Sequence, residues 1–192
     1  MQTTEYRSAI LNELKNGVGD SEIARRIYLS YPTYSFEGKP DREFDIKNRI
    51  SQKYGVDIFS IHFGGSGKTG ESYHKENEFR PGSSDLDAAI INNSLFQSYL
   101  EESVTVTNGF KDLTTYDGRT DDFEKFQQRL CRGIVVPEYM PSCSHRTEWI
   151  TFFENLSYGN SDLFKDINCW IYSSKKIYEW KFSSTIRLLR GK

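Results

Sequence analysis

Residues 61–90 read IHFGGSGKTGESYHKENEFRPGSSDLDAAI, and this stretch decides how the rest of the chain is understood. An apolar segment, Ile61 to Phe63, runs into Gly64-Gly65-Ser66. After a polar insert come Ser84-Asp85-Leu86-Asp87 and a second apolar segment, Ala88 to Ile91. Two aspartates one residue apart on a strand point to the same face of a sheet, because strand side chains alternate. Carboxylates placed that way suit a hard divalent cation, Mg²⁺ or Mn²⁺, which takes oxygen ligands and leaves room for substrate phosphates. The Gly64-Gly65-Ser66 turn supplies the complementary half, free backbone N–H groups and a hydroxyl that can hold phosphate oxygens.

A strand, a Gly-Ser turn and then Asp-x-Asp on a following strand resembles the nucleotidyltransferase superfamily related to DNA polymerase beta. The resemblance spans residues 57–92, with Gly65-Ser66 in the first half of the pattern and Asp85-Leu86-Asp87 in the second. Eighteen residues separate Ser66 from Asp85, more than in the compact members. The surplus lies in the polar segment Tyr73 to Phe79, which reads as a surface loop extension of the kind that loops tolerate.

The resemblance implies a third carboxylate on a later strand, and Asp166, opening the apolar segment Ile167 to Tyr172, fits that pattern best. Asn168 lies on the same face two residues on. If Asn168 is the equivalent position, the domain binds nucleotide without turning it over. The resemblance further implies a triphosphate substrate, ATP in the first instance, with Asp85, Asp87 and Asp166 around metal. Gly64, Gly65 and Ser66 would then lie on the phosphates, with Lys68 as an auxiliary charge. The acceptor of the transferred nucleoside monophosphate is a protein, an RNA or a small molecule. Likeness to stand-alone bacterial-type members suggests a toxin–antitoxin or defence setting. The alternative is a regulatory module of the same fold that acts through a protein partner.

A phosphate-loop reading competes for the same residues. Gly67-Lys68-Thr69 copies the end of Gly-x-x-x-x-Gly-Lys-Ser/Thr, but the first glycine of that motif falls on His62. The second motif of such proteins would fall on Gly133 to Glu138, which Pro137 interrupts. Neither HExxH nor GxSxG occurs, so zinc proteolysis and serine hydrolysis have no support.

Helical periodicity predicts helices over residues 4–16, 20–28, 41–53, 95–102, 121–132, 145–156 and 175–189, and strands over 56–63, 85–92 and 167–172. Asp41 is the expected cap of the third helix, with Phe44, Ile50 and Tyr54 inward. Asp121 and Glu124 form the expected capping box of the fifth. The second helix resembles the opening of a helix-turn-helix, but Tyr31-Pro32-Thr33 follows it instead of a recognition helix. The expected fold is α/β (α+β), a small mixed sheet flanked by helices. One domain over 1–192 has a helical N-terminal part, 1–55, and a helical C-terminal part, 174–192.

At 192 residues the chain can bury one full core, and 13 Phe, 12 Tyr and 3 Trp supply much of its apolar area. A net charge of −2 gives no overall drive toward nucleic acid. From Lys175 onward, however, six basic residues (Lys175, Lys176, Lys181, Arg187, Arg190, Lys192) face one acid, Glu179. In the last helix Ile177, Trp180, Ile186 and Leu189 are expected to pack inward and the cations to face water. Their alternative use is to meet a polyanion such as RNA. Three scattered cysteines, no zinc-ligand spacing, no signal-peptide pattern and no apolar run long enough for a bilayer lead to the expectation of a cytoplasmic protein with no membrane partner.

Overall fold

The computed structural model describes residues 3–190. In chain order the helices are α1 (Thr3–Lys15), α2 (Asp20–Arg25), α3 (Pro40–Tyr54), α4 (Gly65–Thr69), α5 (Asn93–Val106), α6 (Thr120–Leu130), α7 (Ser144–Tyr158) and α8 (Lys175–Arg187). The strands are β1 (Ile61–Gly64), β2 (Glu71–Ser72), β3 (Asn77–Glu78), β4 (Leu86–Ile91), β5 (Ile134–Val135) and β6 (Ile167–Tyr172). This is a mixed α/β fold, as the alternation of apolar strands and amphipathic helices requires. One sheet has the order β1-β4-β6-β5, and β2 and β3 pair separately as a hairpin.

Period-2 alternation gives the main sheet two different faces. Leu86, Ala88 and Ile90 of β4 join Ile167, Cys169 and Ile171 of β6 in a core with Ile46 and Ile50 of α3, Phe126 of α6 and Trp149, Phe153 and Leu156 of α7. On the other face Ala89, Tyr172 and Ile134 pack against Tyr6 and Ile10 of α1, Ile23 of α2 and Tyr178 and Ile186 of α8. Asp87 and Asn168 share this second face by alternation, at the end of the sheet that the apolar packing leaves open.

Helix α8 is tied to α2 by polar contacts. Arg25 donates to both carboxylate oxygens of Glu179 at 2.9 and 3.0 Å, and Arg187 and Arg190 donate to Asp20 at 3.3 and 2.6 Å. Lys175 also lies 3.8 Å from Glu179. Three of the cations expected to face solvent are therefore already matched by acids. Lys192 lies outside the described residues.

Several boundaries differ from the sequence expectation, each for a local reason. Residues 56–60 are not strand, because the Asp57 side chain accepts the Phe59 N–H at 2.8 Å and caps a 3₁₀ turn over Ile58–Ser60. Helix α3 begins at Pro40, which suits the first helical position, so Asp41 lies in the first turn instead of capping it. With Ile46 and Ile50 inward, Phe44 is turned out and 56% exposed. Helix α6 starts at Thr120 after Arg119, with no side-chain cap, so the Asp121–Glu124 box does not form. In α8, Trp180 is 52% exposed and Lys181 turns inward. No helix among the described residues is long and apolar enough to cross a membrane.

Candidate functional site

Antiparallel pairing of β1 with β4 sets Gly64 directly opposite Asp87, and parallel pairing of β4 with β6 sets Asn168 beside Asp87. The chain leaves β1 through Gly65, whose φ of 59° favours glycine, and turns at once into α4. A side chain at Gly65 would collide with Oδ2 of Asp87, so only glycine lets the turn lie against the carboxylate. A Cβ on Gly64 would come within 2.5 Å of the Phe182 ring of α8. Gly65 is thus required by its φ and its approach to the carboxylate, while a side chain at Gly64 would have to displace the tip of the Phe182 ring.

These elements enclose a cavity of about 450 Å³. Asp87, Asn168, Trp170 and Tyr172 of the sheet form one wall. Gly65 and Thr69 come from the turn, and Lys181, Phe182 and Thr185 come from α8. Ser72, Tyr73 and His74 contribute a further part of the lining, together with Tyr28. The insert read as a surface loop therefore folds into the β2–β3 hairpin and borders the cavity. Tyr73 is buried, at 4% exposure. An aromatic residue inside an otherwise polar insert was the signal available in the sequence, masked by the charged residues around it.

Asp87 is exposed and lines the cavity, with protein packed around its carboxyl. Burial, and then repulsion from Asp85, raise its carboxyl above the usual carboxylate range, and Lys75 and Lys181 pull it partly back. Asp85 is half-buried, and its Oδ1 has no hydrogen-bond partner among the described residues. Two neighbouring carboxylates, one with an unpartnered buried oxygen and one with a raised pKa, are the oxygen donors that a hard divalent cation here would use.

The other expected site residues are distributed differently. Ser66 is half-buried in the first turn of α4, beside the cavity and not in its wall. Lys68 is 4% exposed, and its ammonium donates to the Tyr31 carbonyl at 2.5 Å. Burial lowers its pKa to about 8, with Glu43 raising it and Lys47 lowering it. A lysine held this way is a strut between α4 and the segment after α2, not a phosphate ligand. The same geometry argues against the phosphate-loop reading, in which this amine must reach a phosphate.

Asp166 precedes β6; its carbonyl accepts the Leu86 N–H at 2.8 Å, while its carboxylate is 54% exposed and lies 3.7 Å from the Lys165 amine. The residue abreast of Asp87 is Asn168, as the parallel register dictates. Among the described residues, no three Asp, Glu, His or Cys side chains converge on a point that could hold a metal ion. The structure does not draw Asp166 together with the Asp85–Asp87 pair. His62, beside the ring of Tyr178 at 5.6 Å, is lowered to about 4 by burial and then by Lys47, Lys68 and Lys175, so it is neutral at physiological pH.

No family model, curated protein or solved structure matches the chain.

Proposed function

We propose that this chain binds a nucleoside triphosphate, ATP in the first instance, with Mg²⁺, and transfers its nucleoside monophosphate to an acceptor. The observation that carries the reading is the pairing of Gly64 with Asp87, which sets a glycine turn and the Asp87 carboxylate in the wall of a cavity of nucleotide-binding size, with Asp85 just before the strand and outside that wall. Asp85 and Asp87 are the residues that would hold the ion, which would neutralise phosphate charge and polarise the scissile phosphate. The protein's own share is positional. Gly65 lets the turn approach the carboxylate, and Asn168 offers an amide next to Asp87. Tyr172 and Trp170 give an apolar wall that excludes water and can accept a base. In the transfer the acceptor oxygen would bond to the α-phosphorus and lose its proton, while the bond to the β-phosphate breaks and pyrophosphate leaves.

One observation favours a second reading. With Asn168 where the resemblance implies a carboxylate, the donor set is two acids, which suits one ion better than two. A domain of that kind holds nucleotide and acts through a protein partner. Incubation with [α-³²P]ATP and Mg²⁺ or Mn²⁺, with candidate protein, RNA and small-molecule acceptors, separates the two. Label transferred by the wild type and lost in Asp87→Asn supports transfer. Saturable Mg²⁺-dependent ATP binding without label transfer supports the binding module. Absence of both removes the nucleotide reading.

A further inference from the structure

Around Lys181, on the α8 side of the cavity, lies a group of cations without ion-pair partners among the described residues. Lys181 lines the cavity from α8, and Trp170 lines it from β6. The Arg129 guanidinium of α6 sits over the Trp170 ring, 5.2 Å from its centre. A cation on an indole face is held in place without giving up its charge or its N–H donors. Arg132 follows at the end of α6, exposed. Among the described residues, no carboxylate comes within ion-pair distance of Lys181, Arg129 or Arg132. By contrast Arg187, Arg190, Lys175 and Lys125 all have acids beside them.

The three are close enough to act on one another. After burial, repulsion from Arg129 and Arg132 is what holds the Lys181 ammonium below its ordinary value, while Asp87 pulls the other way. A partly buried cation with like-charged neighbours and no acid in contact is costly, and an anion of suitable shape relieves that cost. The basic character seen in the C-terminal segment thus resolves into two sets. One clamps α8 to α2, and Lys181 turns into the cavity to join Arg129.

We propose that Lys181 and Arg129, with Arg132 beside them, form an anion subsite that receives phosphate groups of the substrate where α8 meets Trp170 at the cavity. This extends the nucleotide reading and rests on it for the source of the phosphate, either the polyphosphate of the donor nucleotide or the phosphate of an oligonucleotide acceptor. Guanidinium and ammonium groups together match phosphate oxygens in number and charge.

Trp170 supplies a readout independent of activity. In a Trp180→Phe background, only Trp170 and the fully buried Trp149 remain. Titration of that protein with metal-free tripolyphosphate, and separately with a 5′-phosphorylated tetraribonucleotide, is expected to change the Trp170 emission saturably. Lys181→Ala and Arg129→Gln should each raise the half-saturating concentration about tenfold, the loss of one charge-assisted hydrogen bond. Lys181→Arg should retain most of the affinity, and affinity should fall steeply with salt. Tighter tripolyphosphate identifies the donor as the source, and tighter oligonucleotide the acceptor. Circular dichroism confirms that each variant is folded. No saturable change with either ligand, or equal affinities in the wild type and folded Lys181→Ala, overturns the subsite. Because these titrations contain no metal, failure of nucleotidyl transfer or of Mg²⁺-dependent binding leaves them unaffected.

Discussion

Replacing Lys68 by Met separates a structural lysine from a phosphate-binding one. Methionine nearly matches the length of the side chain while removing its charge and its hydrogen bond to the Tyr31 carbonyl. The folded-state pKa is about 8 against an ordinary 10.5, chiefly because burial disfavours the charged form. Between those values the unfolded chain holds the proton and the folded chain does not, so wild-type stability should rise with pH across that window. At ~1.4 kcal/mol per pH unit, the gain over the window is about 3 kcal/mol. The lysine is almost fully buried, so solvent screening takes little from this figure. Urea denaturation of wild type and Lys68→Met at pH 7 and pH 10.5 measures it, and subtracting the variant cancels the tyrosines that titrate near the upper limit. The difference should move about 3 kcal/mol in favour of the wild type on going to pH 10.5, while Mg²⁺-dependent ATP affinity stays within a few-fold. A difference that does not change with pH, or loss of ATP binding at unchanged stability, would refute the strut and restore the phosphate-loop reading.

Other perturbations probe the carboxylate end of the cavity. Gly65→Ala places a methyl group against Asp87 Oδ2 at a φ of 59°; it should cost about 1–3 kcal/mol by thermal or urea denaturation and abolish nucleotide binding, and wild-type behaviour would mean that the turn does not press on the carboxylate. Asn168→Asp adds a third acid beside Asp87; Mn²⁺ affinity read by electron paramagnetic resonance should rise about tenfold or more, with stability in chelator falling by about 1 kcal/mol from like-charge repulsion. Unchanged Mn²⁺ affinity would show that position 168 does not face the pair. Leu156→Ala, in the fully buried core under the sheet, should cost about 2–5 kcal/mol without changing ligand specificity. A cost below 1 kcal/mol would mean that α7 is loosely packed.

What could be read from the sequence was what local pattern controls. β6 runs from Ile167 to Tyr172 as expected, and β4, α7 and α8 begin within a residue or two of their predicted starts, because their apolar periods are unbroken. The Gly64-Gly65 turn and the place of Asp87 on β4 were legible for the same reason, while Asp85 falls just before the strand. Properties set by distant partners were not. The burial of Lys68 depends on a carbonyl 37 residues away. That Asn168 and not Asp166 lies next to Asp87 depends on the register of a parallel pair joined by a long connection, which neither strand's own sequence encodes. Lys181 looked like one more cation on a solvated face, and its inward turn follows from the way α8 is clamped to α2. The two-residue strands of the hairpin are too short to show alternation at all.

The most direct test is calorimetric titration of ATP into the wild type with and without Mg²⁺, repeated with Asp85→Asn and Asp87→Asn. Because burial and Asp85 already hold the Asp87 carboxyl against ionisation, Asp87→Asn should leave the metal-free protein as stable as the wild type or slightly more so. The prediction is that Mg²⁺ tightens saturable ATP binding to the wild type at least about tenfold, and that neither variant shows this Mg²⁺-dependent gain although both remain folded. ATP binding that is indifferent to Mg²⁺, or that survives in Asp87→Asn at wild-type affinity, would contradict it.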